Sequence, residues 1–396
     1  MPGILRYGGI FVVAVSMSLG AACSGPEGAP RPVDPRLDAG ARRLFDDLWW
    51  LRGRGILFGH QDDTAYGVEW FAEPGRSDVR ETAGDYPAVY GWDIGGLERG
   101  DAANLDGVDF ALMRVRMIEA HRRGGINAVS WHMFDPISGA SSWHDQPVVE
   151  HLLPGAPHHA ALRAALDRFV EFNAALQREA GDDGPVPLIF RPWHEHNGDW
   201  FWWGRRHTRE ADYIALWRIT LQYLRDEKGV HNLLWAWSPD RSRLDPARFE
   251  ETYFYAYPGD DAVDLLGLDD YWDLGHPANA AGPDEQRAAF VDVLGKLVRA
   301  AEARGKLAAL TEGGRENIGR DDFWTAVLGA GLLADGDTRK LSYALVWRNA
   351  NRAREGRDHY FGPWPGHPSA EDFRRFAADP WILLESEAAA LLTKRR

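Results

Sequence analysis

Apolar residues gather into eight short runs along the chain: Ile56 to Gly59, Ala88 to Trp92, Ile126 to Trp131, Val186 to Phe190, Asn232 to Trp237, Val263 to Leu268, Leu307 to Leu310 and Leu341 to Trp347. Runs of this length, without apolar–polar alternation, are the pattern of strands covered on both faces. Between them lie stretches of helical period, at Phe110 to His121, Ala160 to Ala180, Glu210 to Arg225, Pro283 to Arg304 and Asp321 to Ala330. Ala301-Glu302-Ala303-Arg304 is followed by Gly305, a suitable helix cap. Strand alternating with helix implies parallel pairing, and eight such units predict an α/β fold of the (β/α)8 barrel type, residues 41–396 forming one domain.

In such a barrel, chemistry gathers where strands end at their carboxyl side. Every run here empties into polar or aromatic residues. The first ends in His60-Gln61-Asp62-Asp63, the second in Asp93, the third in His132 and the fourth in His194-Glu195. The fifth ends in Ser238, the sixth in Asp269-Asp270-Tyr271-Trp272, the seventh in Glu312 and the eighth in Trp347-Arg348-Asn349.

The densest of these ends is Arg191-Pro192-Trp193-His194-Glu195-His196-Asn197-Gly198, running on to Asp199-Trp200-Phe201-Trp202-Trp203-Gly204. A carboxyl set among indole rings resists ionisation and holds its proton near neutral pH, as a proton donor to a glycosidic oxygen must. A second carboxylate, Glu312, arrives in Thr311-Glu312-Gly313-Gly314, 117 positions later. Glycosidases that retain configuration place two such groups roughly 5 Å apart. Only a fold that returns strand ends to one rim brings this pair together. His194 and His196 lack the spacing and helical setting of zinc proteases, so no metal is read here, and the chemistry needs no cofactor. His60 and Asp93 read as supporting residues, and simple packing accounts for part of the Trp200 to Trp203 cluster.

Composition narrows the partner. The 396 residues carry a formal charge of −14 with acids and bases interspersed, which favours neither nucleic acid nor an anionic membrane surface. Eighteen tryptophans suit the flat apolar faces of sugars, although core packing accounts for most of them.

Together these residues resemble glycoside hydrolase family 26, best known for retaining β-1,4-mannanases. The resemblance covers Gly59 to about Trp381, and its most specific part is Trp193-His194-Glu195-His196-Asn197-Gly198-Asp199-Trp200 joined to Thr311-Glu312-Gly313-Gly314. Related barrel glycosidases usually place asparagine before the acid, where this chain has His194. The resemblance implies Glu195 as acid/base, Glu312 as nucleophile, and Tyr271 as the hydroxyl that orients the nucleophile. It implies that His194 supports the acid and the sugar, that Asp269 binds a sugar hydroxyl, and that His132, Trp143, Trp200, Trp347 and Arg348 line substrate subsites. The implied substrate is β-mannan, glucomannan, galactomannan or a manno-oligosaccharide, cut internally. Terminal release of mannobiose is the alternative if the loops Glu98 to Asp109 and Pro136 to Pro157 wall off one end. Other members cut xylan or mixed-linked glucan. A glycan-binding protein without catalysis would lack Glu195, Glu312 or Tyr271, and all three are present.

At the amino terminus, Arg6 precedes an apolar stretch from Ile10 to Leu19 and the small residues Gly20-Ala21-Ala22, the pattern of a secretory signal over residues 1–22. Cys23, the one cysteine in the chain, resembles a lipoprotein attachment residue, with residues 23–40 as tether. An aliphatic residue is expected three places before it, whereas Leu19 lies four before. A monomer, secreted or lipid-anchored in the periplasm or at a bacterial surface, is expected.

Overall fold

In the computed structural model, which describes Gly3 and residues 30–395, the eight runs become strands that close on themselves. They are β1 (Ile56–Gln61), β2 (Val89–Asp93), β3 (Ile126–Ser130), β4 (Leu188–Arg191), β5 (Leu233–Trp237), β6 (Leu265–Asp270), β7 (Leu307–Gly313) and β8 (Tyr343–Val346). Each pairs in parallel with the next, and β8 returns to β1 through Tyr343 opposite Leu57 and Val346 opposite His60. The (β/α)8 barrel is therefore the fold. A two-residue strand, Ile382–Leu383, adds to the outer edge of β1.

Helix α1 (Ala39–Leu51) precedes the barrel, and α2 (Phe110–Arg123), α3 (His159–Ala180), α4 (Glu210–Gln222) and α5 (Pro283–Ala303) surround it. α2 begins at Asp109, whose side chain accepts from the amides of Ala111 and Leu112, and stops at Gly124, whose φ of 100° suits glycine. The buried stripe Leu162, Leu166, Phe169, Phe172 and Leu176 fixes the face that α3 turns to the sheet.

Two of the expected helices depart from the α form. The segment expected to run from Glu210 to Arg225 leaves the α-helical pattern at Gln222 and continues as a π turn, Tyr223–Glu227. Over Asp321 to Ala330 the chain makes a π turn, Trp324–Gly329, followed by one α turn, Ala330–Leu332. There the Asp372 carboxylate accepts from the amide and hydroxyl of Thr325, and Ser369 accepts from the indole of Trp324, which holds the widened turn.

α1 was not among the expected helices. Its Leu44, Phe45, Leu48 and Leu51 share one cluster with the barrel-interior residues Leu57, Val89, Ile189, Leu234, Leu265 and Leu307, so α1 plugs the amino-terminal end of the barrel. Each such side chain contributes about 1.5–3 kcal/mol by burial. The described part of the expected tether over residues 23–40 is correspondingly docked chain rather than free linker. The Val33 amide donates to Asp264, Asp34 pairs with His231 at 2.6 Å, and Asp38 caps α1. Apart from Gly3, the expected signal segment 1–22 and Cys23 lie outside the described residues.

One irregularity sits next to the chemistry. Along β6 and β7, Leu268 faces Leu310 but Asp269 faces Glu312, so Thr311 is an extra residue that bulges β7 just before Glu312. The turn that follows needs glycine twice. A Cβ on Gly313 would stand 2.7 Å from the Asp270 carbonyl oxygen, and Gly314 has φ of 122°.

Candidate active site

At the carboxyl ends of the strands lies a cleft of about 1020 Å³, lined by Glu195, Glu312, His132, Trp143, Trp200, Tyr271, Trp347 and Arg348 among others. The fold thus brings Glu195 of the loop after β4 and Glu312 of β7 to one cavity. The chain around Glu195 is held in an unusual form. Trp193 and Glu195 have φ of 54° and 52°, a left-handed backbone that costs non-glycine residues about 1–2 kcal/mol each. Three buried indoles hold it there, their N–H groups donating to neighbours: Trp193 to the Thr220 hydroxyl (3.1 Å), Trp202 to the Met133 carbonyl (2.9 Å) and Trp203 to the His194 carbonyl (2.8 Å). Tyr213 donates to the Trp193 carbonyl, and the Glu195 amide donates to the Ser238 carbonyl. Only Trp200 and Phe201 of the aromatic cluster reach the cleft.

Glu195 keeps one polar side-chain partner among the described residues, the indole N–H of Trp200, which donates to Oε2 at 2.7 Å. Burial pushes its carboxyl well above the usual range, and the nearby Asp240, Glu312 and Asp269 add to the rise; the Trp200 hydrogen bond pulls the other way. Glu312 is set up oppositely. Tyr271 donates its hydroxyl to Oε1 at 2.7 Å, and Arg191 donates to Oε2. Burial and the facing carboxylate raise the Tyr271 phenol, so it keeps its proton and serves as donor. One carboxyl is thus pushed toward its protonated form, and the other is held by two donors.

Two residues expected against substrate are not at the cleft. Asp269 is fully buried. It accepts from Arg191 (2.7 Å), Ser238 (3.1 Å) and Thr311 (2.7 Å), and these three donors leave it no free oxygen for a sugar. Its work is to seat Arg191, which bridges it to Glu312. His194 is likewise buried and stands behind His132, the two Nε2 atoms 3.2 Å apart. His132 itself lines the cleft and binds Asp93 through Nδ1 at 2.6 Å. Burial opposes a charge on His132, but the Asp93 carboxylate outweighs it and raises the imidazole. Burial, then the Arg191 and His132 charges, hold His194 well below the ordinary histidine range, so His194 accepts the Nε2–H of His132. Sequence order alone placed His194 beside the acid; the left-handed turn sends the two side chains apart.

His132 also organises one end of the cleft. Trp143 stacks on it at 5.3 Å and Trp347 meets it edge-on at 5.8 Å. Trp143 is half exposed, as a sugar platform would be. Arg348 lines this end too, but its guanidinium is engaged by Asp106 (3.2 Å) and by both oxygens of Glu355 (2.6 and 3.0 Å). That pairing joins the loop after β2 to the loop after β8. His196, by contrast, points away: its Nε2 bonds the Tyr255 carbonyl, and burial holds its imidazole down to about 4.

Arg191 and Asp240 were not assigned from sequence. Arg191 had a signal, being a lone cation at the end of an apolar strand, next to the acid motif. Asp240 had none beyond its place two residues after Ser238.

Residues 33–314 match the model of glycosyl hydrolase family 26. Among curated relatives, a mannan endo-1,4-beta-mannosidase of Bifidobacterium adolescentis is 34% identical over 372 residues, 89% of this chain and 35% of that protein. The chain thus spans about a third of the length of that relative. A mannan endo-1,4-beta-mannosidase of Bacillus subtilis is 28% identical over 68% of this chain and 74% of its own length. A GH26 beta-mannanase structure from Bacteroides ovatus is 38% identical, with TM-score 0.79, over 88% of this chain and 96% of that one. A modular endo-beta-1,4-mannanase from Cellulomonas fimi is 35% identical, with TM-score 0.80, over 91% and 78%.

Proposed function

Because the chain belongs to glycosyl hydrolase family 26, we propose that it is a retaining endo-β-1,4-mannanase acting on mannan, glucomannan or galactomannan. The single observation that carries this reading is the opposed environment of the two carboxyls in one cleft: Glu195 pushed toward its protonated form, Glu312 held by Tyr271 and Arg191. Glu312 attacks the anomeric carbon while Glu195 gives its proton to the departing oxygen. Glu195, now an anion steadied by the Trp200 indole, takes a proton from the water that releases the sugar and regains its first state. Secretion, with Cys23 as lipid attachment, belongs to the same proposal and rests on residues 1–23 as a sequence. The direct test is reducing-sugar release from glucomannan by wild type and Glu312→Ala in parallel. Equal signals from the two would end the enzymatic reading.

A second reading, terminal release of mannobiose, is favoured by one observation. The Asp106–Arg348–Glu355 pairing ties two loops together at the end of the cleft organised by His132. Product sizes over time decide between them. A spread of oligosaccharides in the first minutes is expected for internal cutting; mannobiose alone from the start identifies the walled form.

Trp200→Phe tests the acid directly. Losing the indole N–H removes a group that favours ionised Glu195, so its carboxyl rises further and the alkaline limb of kcat/KM moves to higher pH. Turnover is expected to fall about tenfold, because the Glu195 anion needed in the second step loses its donor. A limb that moves to lower pH contradicts the assignment.

A further inference from the structure

Asp240, just past β5, is a further carboxylate that lines the cleft, and its backbone is fixed on two sides. The side chain of Asn197, two residues after Glu195, clamps its backbone from both sides: Nδ2 donates to the Asp240 carbonyl and Oδ1 accepts from its amide, each at 2.8 Å. Oδ1 of Asp240 accepts from the amide (2.8 Å) and the hydroxyl of Ser242. Oδ2 receives nothing from any described residue, although Asp240 is only 7% exposed. A loop staple accounts for the clamp and for Oδ1. It leaves the second carboxylate oxygen, on a residue fixed in place at the cleft wall, free to accept from a ligand.

The place of Asp240 says which. The residues that organise one end, His132, Trp143 and Trp347, follow β3 and β8. Glu195 follows β4, and Asp240 lies beyond it on the β5 side, with Ser242 and Arg243 also lining the cleft. We propose that the departing sugar lies on that side and that Asp240 binds one of its hydroxyls through Oδ2, so that the enzyme prefers substrates that carry a sugar there. This rests on the function proposed above. It also gives Asp240 a second effect. The groups facing it are Glu195 of the loop after β4, Asp269 and Asp270 of β6, Glu312 of β7, and Arg243 of its own loop. Burial pushes its carboxyl up to about 6, which leaves it mostly ionised at neutral pH, where its charge helps Glu195 keep the proton.

The experiment compares two substrates: mannopentaose, which fills the leaving side, and a dinitrophenyl β-mannobioside, which puts no sugar there. For Asp240→Asn, kcat/KM on mannopentaose is expected to drop about tenfold while the aryl substrate changes less than about twofold. The alkaline limb on mannopentaose should move to lower pH, because removing the anion lowers Glu195 toward its ordinary range. Asp240→Glu keeps the charge and is expected to lose the preference while leaving the limb in place. In whichever variant melts like wild type, an equal loss on both substrates, or no loss on either, overturns the proposal. Wild type that cuts neither mannopentaose nor mannan overturns instead the reading on which it rests.

Discussion

Glu312→Ala is expected to lower turnover of mannan by roughly 10⁴-fold or more, with the fold intact. Folding should not suffer, because Arg191 keeps its pairing with Asp269 at 2.7 Å when Glu312 is gone, and the crowding of Glu195, Asp240 and Asp269 is relieved. What disappears is the group that displaces the leaving sugar. Glu195→Ala distinguishes itself by chemistry rather than by size of effect. A mannan loses its proton donor and is cut slowly, by roughly 10²–10⁴-fold. A dinitrophenyl glycoside departs without protonation, so the first step survives and the glycosyl-enzyme accumulates because no base activates water. Azide needs no base, so it should restore turnover of Glu195→Ala and give a glycosyl azide of the substrate's own configuration. With Glu312→Ala, azide makes one displacement and gives the opposite anomer. Proton NMR of the two products reads the assignment, and identical anomers from both variants would sink it.

The barrel was legible because parallel strands, covered by helices outside and side chains within, read as unbroken apolar runs, and because each run stops where the chain meets the cleft. Leu307 to Leu310 followed by Thr311 and Glu312 shows both signals in six residues. α1 escaped for a different reason. Its Leu44, Phe45, Leu48 and Leu51 do recur at helical spacing, but Trp49, Trp50 and a run of charges blur the stripe, and its partner is the open barrel end rather than a flanking strand. That Glu195 and Glu312 meet in one cleft was readable from motif and spacing. The direction of their neighbours was not: a left-handed turn at Glu195 turns His194 behind His132, and a bulge at Thr311 sets Asp269 against Arg191. Both are backbone departures that residue identity does not announce.

Arg191→Met is expected to damage the protein more broadly than loss of either Glu195 or Glu312. The residue is buried, and its side chain is the cation that Asp269 and Glu312 share, with Ser238 as a further partner at 3.2 Å. Methionine fills similar volume but leaves two buried carboxyls without their counter-charge, a loss of about 3–5 kcal/mol where one member of a buried ion network is removed. Thermal unfolding should fall by several degrees, and the remaining folded protein should turn over at least about 10²-fold more slowly, since Glu312 loses one of its two donors. The pH dependence follows from Asp269. Burial pushes its carboxyl up to about 8 even with Arg191 opposing the rise, so without Arg191 it keeps its proton to still higher pH. A carboxyl raised in the folded state contributes stability fully below its unfolded value and loses it as pH passes the folded one. In wild type, ionisation of Asp269 above about pH 8 is helped by the guanidinium; in the variant the fold must resist it alone. The gap in melting temperature between the two proteins should therefore widen as pH rises through about 8. Melting curves from pH 6 to 9 measure it, and a gap that narrows on the alkaline side would show that Arg191 is not the group that makes a buried pair of acids tolerable.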